Sequence, residues 1–160
     1  MSLEQEFELL KRVPFFADIE PAKLKLLAFL SERVAFDPGR PLMRQGDAAD
    51  AAYVLIDGEA EVIAETPEGP VTLATLGENE VVGEIAILCD VPRTATVRAK
   101  SRVVALRISK ESFMHMIREF PNMAVSIMCE LARRLELTNQ QLRAAVSELK
   151  RASKAAAPSS

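Results

Sequence analysis

Between residues 83 and 97 the chain reads GEIAILCDVPRTATV: one glutamate, one arginine and two threonines around a small-residue helix start, in an otherwise apolar stretch. Those residue types at that spacing predict a pocket for a small anion. Gly83 follows the apolar pair Val81 and Val82, and without a Cβ it lets a ligand or another backbone come close at a strand end. Glu84 to Leu88 form one or two helical turns, whose first N–H groups lack intrahelical partners and attract anions. Pro92 stops that segment. Arg93-Thr94-Ala95-Thr96-Val97 then alternates like a strand, which returns Arg93 to the same cavity. Its guanidinium is a forked donor suited to phosphate. Glu84 cannot hold a phosphate, because like charges repel, but a carboxylate accepts hydrogen bonds from hydroxyls such as those of a ribose. Phosphate, sugar and acid together point to a nucleotide.

The elements that must position these groups follow from pattern and punctuation. Leu3 to Lys11 reads as a short helix stopped near Pro14, and a second helix starts with Pro21 at its first position and Leu24, Leu26, Leu27 and Leu30 as its core face. From Arg33 to Ile108 short β-rich runs are cut by glycines, with a hairpin at Pro67-Glu68-Gly69-Pro70, which favours a sandwich or roll. Ser109 reads as the N-cap of a helix over 110–119, and Pro121 opens a final helix reaching about Lys150. The small and polar residues 151–160 are expected to be disordered.

At this point a resemblance is plain. The segment 83–97 resembles the phosphate-binding cassette of the cyclic nucleotide-binding domain family, with glycine, acid, proline, arginine and hydroxyl in the family's order. The likeness extends to VPFF at 13–16, FDPGRPLMRQGD at 36–47 and YVLIDGEAEVI at 53–63, and covers roughly residues 7–150. It implies an α+β fold: an antiparallel, jelly-roll-like β-roll (33–108) flanked by N-terminal helices (1–32) and C-terminal helices (109–150), the last of dimerisation type. It also implies site roles. Arg93 would pair with the phosphate oxygens, helped by the N–H groups of Ile85, Ala86 and Ala95. Gly83 and Glu84 would hold the ribose, and Val82 would lie against the base. Thr94 stays open between the phosphate and the amino group of a syn guanine.

The last helix carries a second pattern. Met128, Leu131, Leu135, Thr138, Leu142, Ala145 and Leu149 recur at alternating steps of three and four, the seam of a two-helix coiled coil, so a homodimer is expected. RRLELTNQQL at 133–142 is similar to the corresponding helix of bacterial catabolite activators. That likeness implies that Thr138 meets the adenine amino group of its own ligand and Asn139 the ligand of the other subunit, although the family often has serine at the second place. On that basis cyclic AMP is favoured over cyclic GMP.

Other function classes fare poorly. There is no GxxxxGK[ST] loop, GxGxxG fingerprint or nucleophile elbow, and the one histidine, His115, is too few for a metal-dependent roll enzyme, so no catalysis and no metal are expected. Cys89 and Cys129 lie far apart without a CxxC companion and read as buried free thiols. Residues 1–90 carry 7 basic and 18 acidic side chains against 13 and 5 in residues 91–160, a division that places positive charge near Arg93. With no apolar run of membrane-spanning length and no signal peptide, a cytoplasmic protein is expected. About ten residues follow Lys150, too few for a helix-turn-helix. The expectation is therefore a stand-alone regulator that signals to another protein through its terminal helices, without direct contact with DNA or membrane. The alternative is a piece of a CRP/FNR-type transcriptional regulator, or of a channel or kinase.

Overall fold

Short strands separated by glycine and proline turns pair, in the computed structural model, into two four-stranded antiparallel sheets; the structure describes residues 2–156. Two helices come first, α1 (Leu3–Lys11) and α2 (Pro21–Leu30), with a 3₁₀ turn at Pro14–Phe16 between them. The strands follow: β1 (Glu32–Phe36), β2 (Pro41–Met43), β3 (Ala51–Asp57), β4 (Ala60–Thr66), β5 (Gly69–Leu76) and β6 (Val81–Val82). Helix α3 (Glu84–Cys89) precedes β7 (Thr96–Ala99) and β8 (Val103–Ser109), and α4 (Lys110–Glu119) and α5 (Pro121–Ala156) end the described chain. The sheet orders are β1-β8-β3-β6 and β2-β7-β4-β5. This is the α+β roll that the sequence predicts.

Strand β3 is covered on both faces, which explains its unbroken apolar run AAYVL. Ala51, Tyr53 and Leu55 point into the core between the sheets, while Ala52 and Val54 alternate toward the helices. There they join Phe15, Phe16, Leu27, Phe113 and Met123, all fully buried. Truncating one of those aromatics, such as Phe15→Ala, removes enough packed surface to cost about 3–5 kcal/mol. Local chemistry sets the joints. In the β4–β5 hairpin the Thr66 hydroxyl donates to Gly69 O at 2.7 Å, with Gly69 at φ +110°. Ser109 caps α4 by accepting from Ser112 N at 3.1 Å.

Helix α5 changes character along its length. Its first turns bury Met123, Ser126, Ile127 and Glu130 at the i, i+3, i+4, i+7 spacing of one helical face. From Leu135 to Ala156 every residue is exposed.

Four expectations need correction. The strand after Pro92 starts at Thr96, not Arg93, because the Arg93 backbone is tied to the distant turn between β2 and β3: its N–H donates to Asp47 O and its carbonyl accepts from Gly46 N, both at 2.8 Å. Both cysteines are exposed, Cys89 on the last residue of α3 and Cys129 on the outer face of α5. Residues 151–156 are helical rather than disordered, since Arg, Ala and Lys are strong helix formers that extend α5; residues 157–160 of the expected tail lie outside the described residues. On α2 the core face is Leu24, Leu27 and Ala28, with Leu26 and Leu30 outward, because the helix is apolar nearly all round and the stripe alone did not select a face. Among the described residues no helix is long and apolar enough to cross a membrane.

Candidate functional site

Arg93 is a buried cation at the centre of the site, only 3% exposed. Its Nη1 donates to Gly83 O at 2.7 Å, and its Nη2 donates to Ala51 O at 2.5 Å and to Asp50 Oδ1 at 3.3 Å. Its Nε is buried without a partner. A buried guanidinium N–H with nothing to bond costs free energy unless a ligand supplies the acceptor. Gly83 lies against it at φ +91°, and a Cβ there would sit 2.7 Å from Arg93 Nη1, 2.9 Å from Met43 Cε and 3.1 Å from Ala51 O. Glycine is therefore required both by conformation and by the closeness of the arginine.

Gly83 is also the residue before α3, so the first N–H groups of that helix open beside Arg93. Glu84, the first residue of α3, is 2% exposed. Burial raises its carboxyl above the ordinary glutamate range, against the opposing pull of its own backbone N–H, Arg134 and Arg93. Arg134 reaches across from α5: its Nη1 lies 3.0 Å from Glu84 Oε1 and 3.3 Å from Val81 O, and its guanidinium stacks 4.8 Å from the Phe15 ring. Glu130, one turn earlier, pairs with both Arg133 and Arg134 and is held below the ordinary range, first by its hydrogen bond from Arg133.

These groups share a cavity of about 190 Å³. Its polar end is made by Gly83, Glu84, Arg93, Thr94 and Arg134, and its apolar wall by Val62, Leu76, Val81, Val82 and Val97. That is smaller than the about 300–1,000 Å³ of ordinary small-molecule sites, and the Arg134 side chain forms part of its wall. A wider groove of about 730 Å³ lies between α1 and the start of β1, but among the described residues no buried charge lines it. Among the described residues no group of three His, Cys, Asp or Glu side chains is placed to hold a metal ion.

Of the residues predicted from sequence, Val82, Gly83, Glu84, Ile85, Ala86, Arg93, Thr94 and Ala95 all line this cavity. Thr138 and Asn139 do not: both are exposed on α5, and the Thr138 hydroxyl donates to Arg134 O at 2.9 Å within its own helix. The seam residues Met128, Leu135, Leu142, Ala145 and Leu149 are exposed, while Leu131 is half-buried against the helical core. Two participants were missed. Arg134 is one of two adjacent arginines, and its place four residues before Thr138 does not by itself set it apart from Arg133. Asp50, in a polar turn before β3, has no signal either.

Arg93, Glu84 and the Gly83 turn converge in one cavity, and the family model for the cyclic nucleotide-binding domain matches residues 33–120. The chain belongs to that family. It is 35% identical over 108 residues to a cAMP-dependent protein kinase regulatory subunit of Yarrowia lipolytica, covering 68% of this chain and 28% of that protein. It is 28% identical over 136 residues to a CRP-like cAMP-activated global transcriptional regulator of Mycobacterium tuberculosis, covering 84% of this chain and 61% of that one. The chain thus spans less than two thirds of the length of these curated relatives. In structure it is similar to the sensor domain of the transcriptional regulator DNR from Pseudomonas aeruginosa, with a TM-score of 0.75 and 26% identity, over 86% of this chain and 93% of that one. It is a cyclic nucleotide-binding regulatory domain.

Proposed function

We propose that this domain binds cyclic AMP, with the cyclic phosphate on Arg93 and on the N–H groups of Ile85, Ala86 and Ala95, and the ribose 2′-hydroxyl on Glu84. The observation that carries this reading is the buried Arg93 guanidinium with its Nε unpartnered, opening into the same cavity as the buried Glu84 carboxylate. The pair selects a ligand with an anion and a hydroxyl at fixed separation, and a ribonucleotide over its deoxy analogue, because a buried carboxylate deprived of its donor is costly. Two relatives named for cAMP support the choice of base. Thr138, which the resemblance assigns to the adenine amino group, lies one helical turn beyond Arg134 on the same face of α5.

The signal passes through α5, because its Arg134 occupies the acceptor that the ribose needs. Ligand and Arg134 compete for Glu84, so occupancy biases where α5 rests, by no more than the ligand's differential affinity for the two arrangements. The exposed run from Leu135 to Ala156 pairs with the same helix of a second copy, because Leu135, Leu142 and Leu149 form an exposed apolar stripe at heptad spacing. Calorimetric titration with cyclic AMP and cyclic GMP, with mass measured by light scattering, tests both parts. The expected result is tighter binding of cyclic AMP by a dimer; no heat from either nucleotide at millimolar concentration overturns the reading.

A further inference from the structure

Asp50 bridges two arginines at the edge of the site. Its Oδ1 lies 3.3 Å from Arg93 Nη2 and its Oδ2 3.4 Å from Arg107 Nη2. Its own carbonyl accepts from Lys110 N at 2.8 Å, which fixes the root of the side chain where β3 meets α4. Arg107 sits on the central strand β8, in register with Tyr53 of β3 and Glu32 of β1. Its Nη1 is 3.9 Å from Glu32 Oε2, an outer and mostly exposed acid. Neither Asp50 nor Arg107 lines the cavity.

The electrostatic consequence follows from how the carboxylate is divided. A carboxylate facing Arg93 alone would form a concentrated ion pair and cancel the charge that an anionic ligand needs. Here its second oxygen is drawn off by another guanidinium, so Arg93 is oriented without being neutralised. Three of the five Arg93 N–H groups are held by Gly83 O, Ala51 O and Asp50, and the donors that remain include the unpartnered Nε. We propose that Arg107 is a positioning residue for the anion site: by holding one oxygen of Asp50 it keeps that carboxylate shared and leaves Arg93 a net positive charge for the ligand's phosphate. This rests on the reading that Arg93 takes the phosphate.

Two measurements test it, one with nucleotide and one without. Arg107→Gln weakens cyclic AMP binding by about two- to fivefold, the scale of a partly exposed ion pair. Arg107→Lys recovers most of that loss, and in an Asp50→Asn background the Gln substitution has no effect. Without ligand, the Arg93 Nε–H resonance in a ¹⁵N correlation spectrum shifts in Arg107→Gln and stays in place when the same change is made in Asp50→Asn. An unmoved resonance, or an equal loss of affinity in both backgrounds, overturns the proposal. An unaltered chain that binds no nucleotide while the resonance moves as stated overturns instead the assignment of Arg93 to phosphate, and the coupling through Asp50 stands.

Discussion

Replacing Glu84 by glutamine moves stability and binding in opposite directions. The carboxylate is 2% exposed, and burial raises its pKa despite its own N–H, Arg134 and Arg93. Removing one partner of a buried pair ordinarily costs about 3–5 kcal/mol, because the other charge is stranded. That does not apply here. The Arg134 side chain is 33% exposed and keeps Val81 O and Glu130 as acceptors, so little is stranded. The Gln variant is therefore expected to unfold at a higher temperature than the unaltered chain at neutral pH. The pH dependence has a definite sign. Unfolded glutamate titrates near 4.5 and folded Glu84 titrates higher, so between the two the native state binds more protons and its stability falls as pH rises. The penalty is complete above the folded value and absent below the unfolded one. The stability gap between variant and unaltered chain should thus be widest at pH 7–8 and close as pH falls toward 4.5. The shifts of Glu80 and Glu130 are common to both proteins and cancel in the difference. Binding goes the other way. A hydroxyl donating to a carboxylate is worth about 1.5–3 kcal/mol and to a neutral amide about 0.5–1.5, so cyclic AMP affinity drops by about 1–1.5 kcal/mol, or five- to twelvefold. Thermal unfolding of both proteins from pH 4.5 to 8, with a calorimetric titration at pH 7.5, reads both effects. A variant less stable at pH 7, with a gap that does not narrow on acidification, refutes the reasoning and makes the Glu84–Arg134 pair a net stabiliser.

Arg93→Ala should weaken cyclic AMP binding by about 2–5 kcal/mol, since the ligand's charge would be left without its buried partner; an affinity unchanged by calorimetry removes Arg93 from its role. Gly58→Ala should destabilise the fold by about 2–4 kcal/mol in urea unfolding, because a Cβ at φ +89° would stand 2.1 Å from Arg102 O, backbone that cannot swing aside. Leu142→Glu puts a charge on the exposed stripe of α5 and should halve the mass seen by light scattering while leaving the roll folded; a mass equal to that of the unaltered chain argues against the coiled-coil dimer.

The roll was legible because its signals are local. Glycine and proline punctuation, the turn at Thr66–Gly69 and the Ser109 cap are each decided within a few residues, and the structure holds them where pattern and propensity put them. The cassette was legible for the same reason: Gly83, Glu84 and Arg93 lie within eleven consecutive positions. Error entered where a non-local contact decided the outcome. The strand could not begin at Arg93 because the turn at Gly46–Asp47 claims its backbone, and the pairing that does so carries no sequence period. The cysteines misled for a related reason, since burial is set by which face of α3 or α5 is left outward, not by residue type.

Arg134 shows what kind of residue this reading passes over. On the helix it is one of two adjacent arginines, and nothing in its neighbours distinguishes it from Arg133, whose partner Glu130 lies three residues away. Only the packing of α5 on the Pro14–Phe16 turn separates them, setting Arg134 between the Phe15 ring and Glu84. The helix then joins three parts of the molecule through one side chain: the N-terminal cap, the anion site and the exposed stripe that begins at the next residue, Leu135. A ribose hydroxyl that takes over Glu84 frees that guanidinium, and the nearest acceptors left to it are Val81 O and Glu130. On the proposed reading, the helix that carries it would then rebalance its contacts with Phe15, so a ligand at Arg93 and Glu84 would alter the start of the stripe without touching it. The part of the proposed mechanism hardest to read from sequence is therefore the long-range charge pair between Glu84 and Arg134.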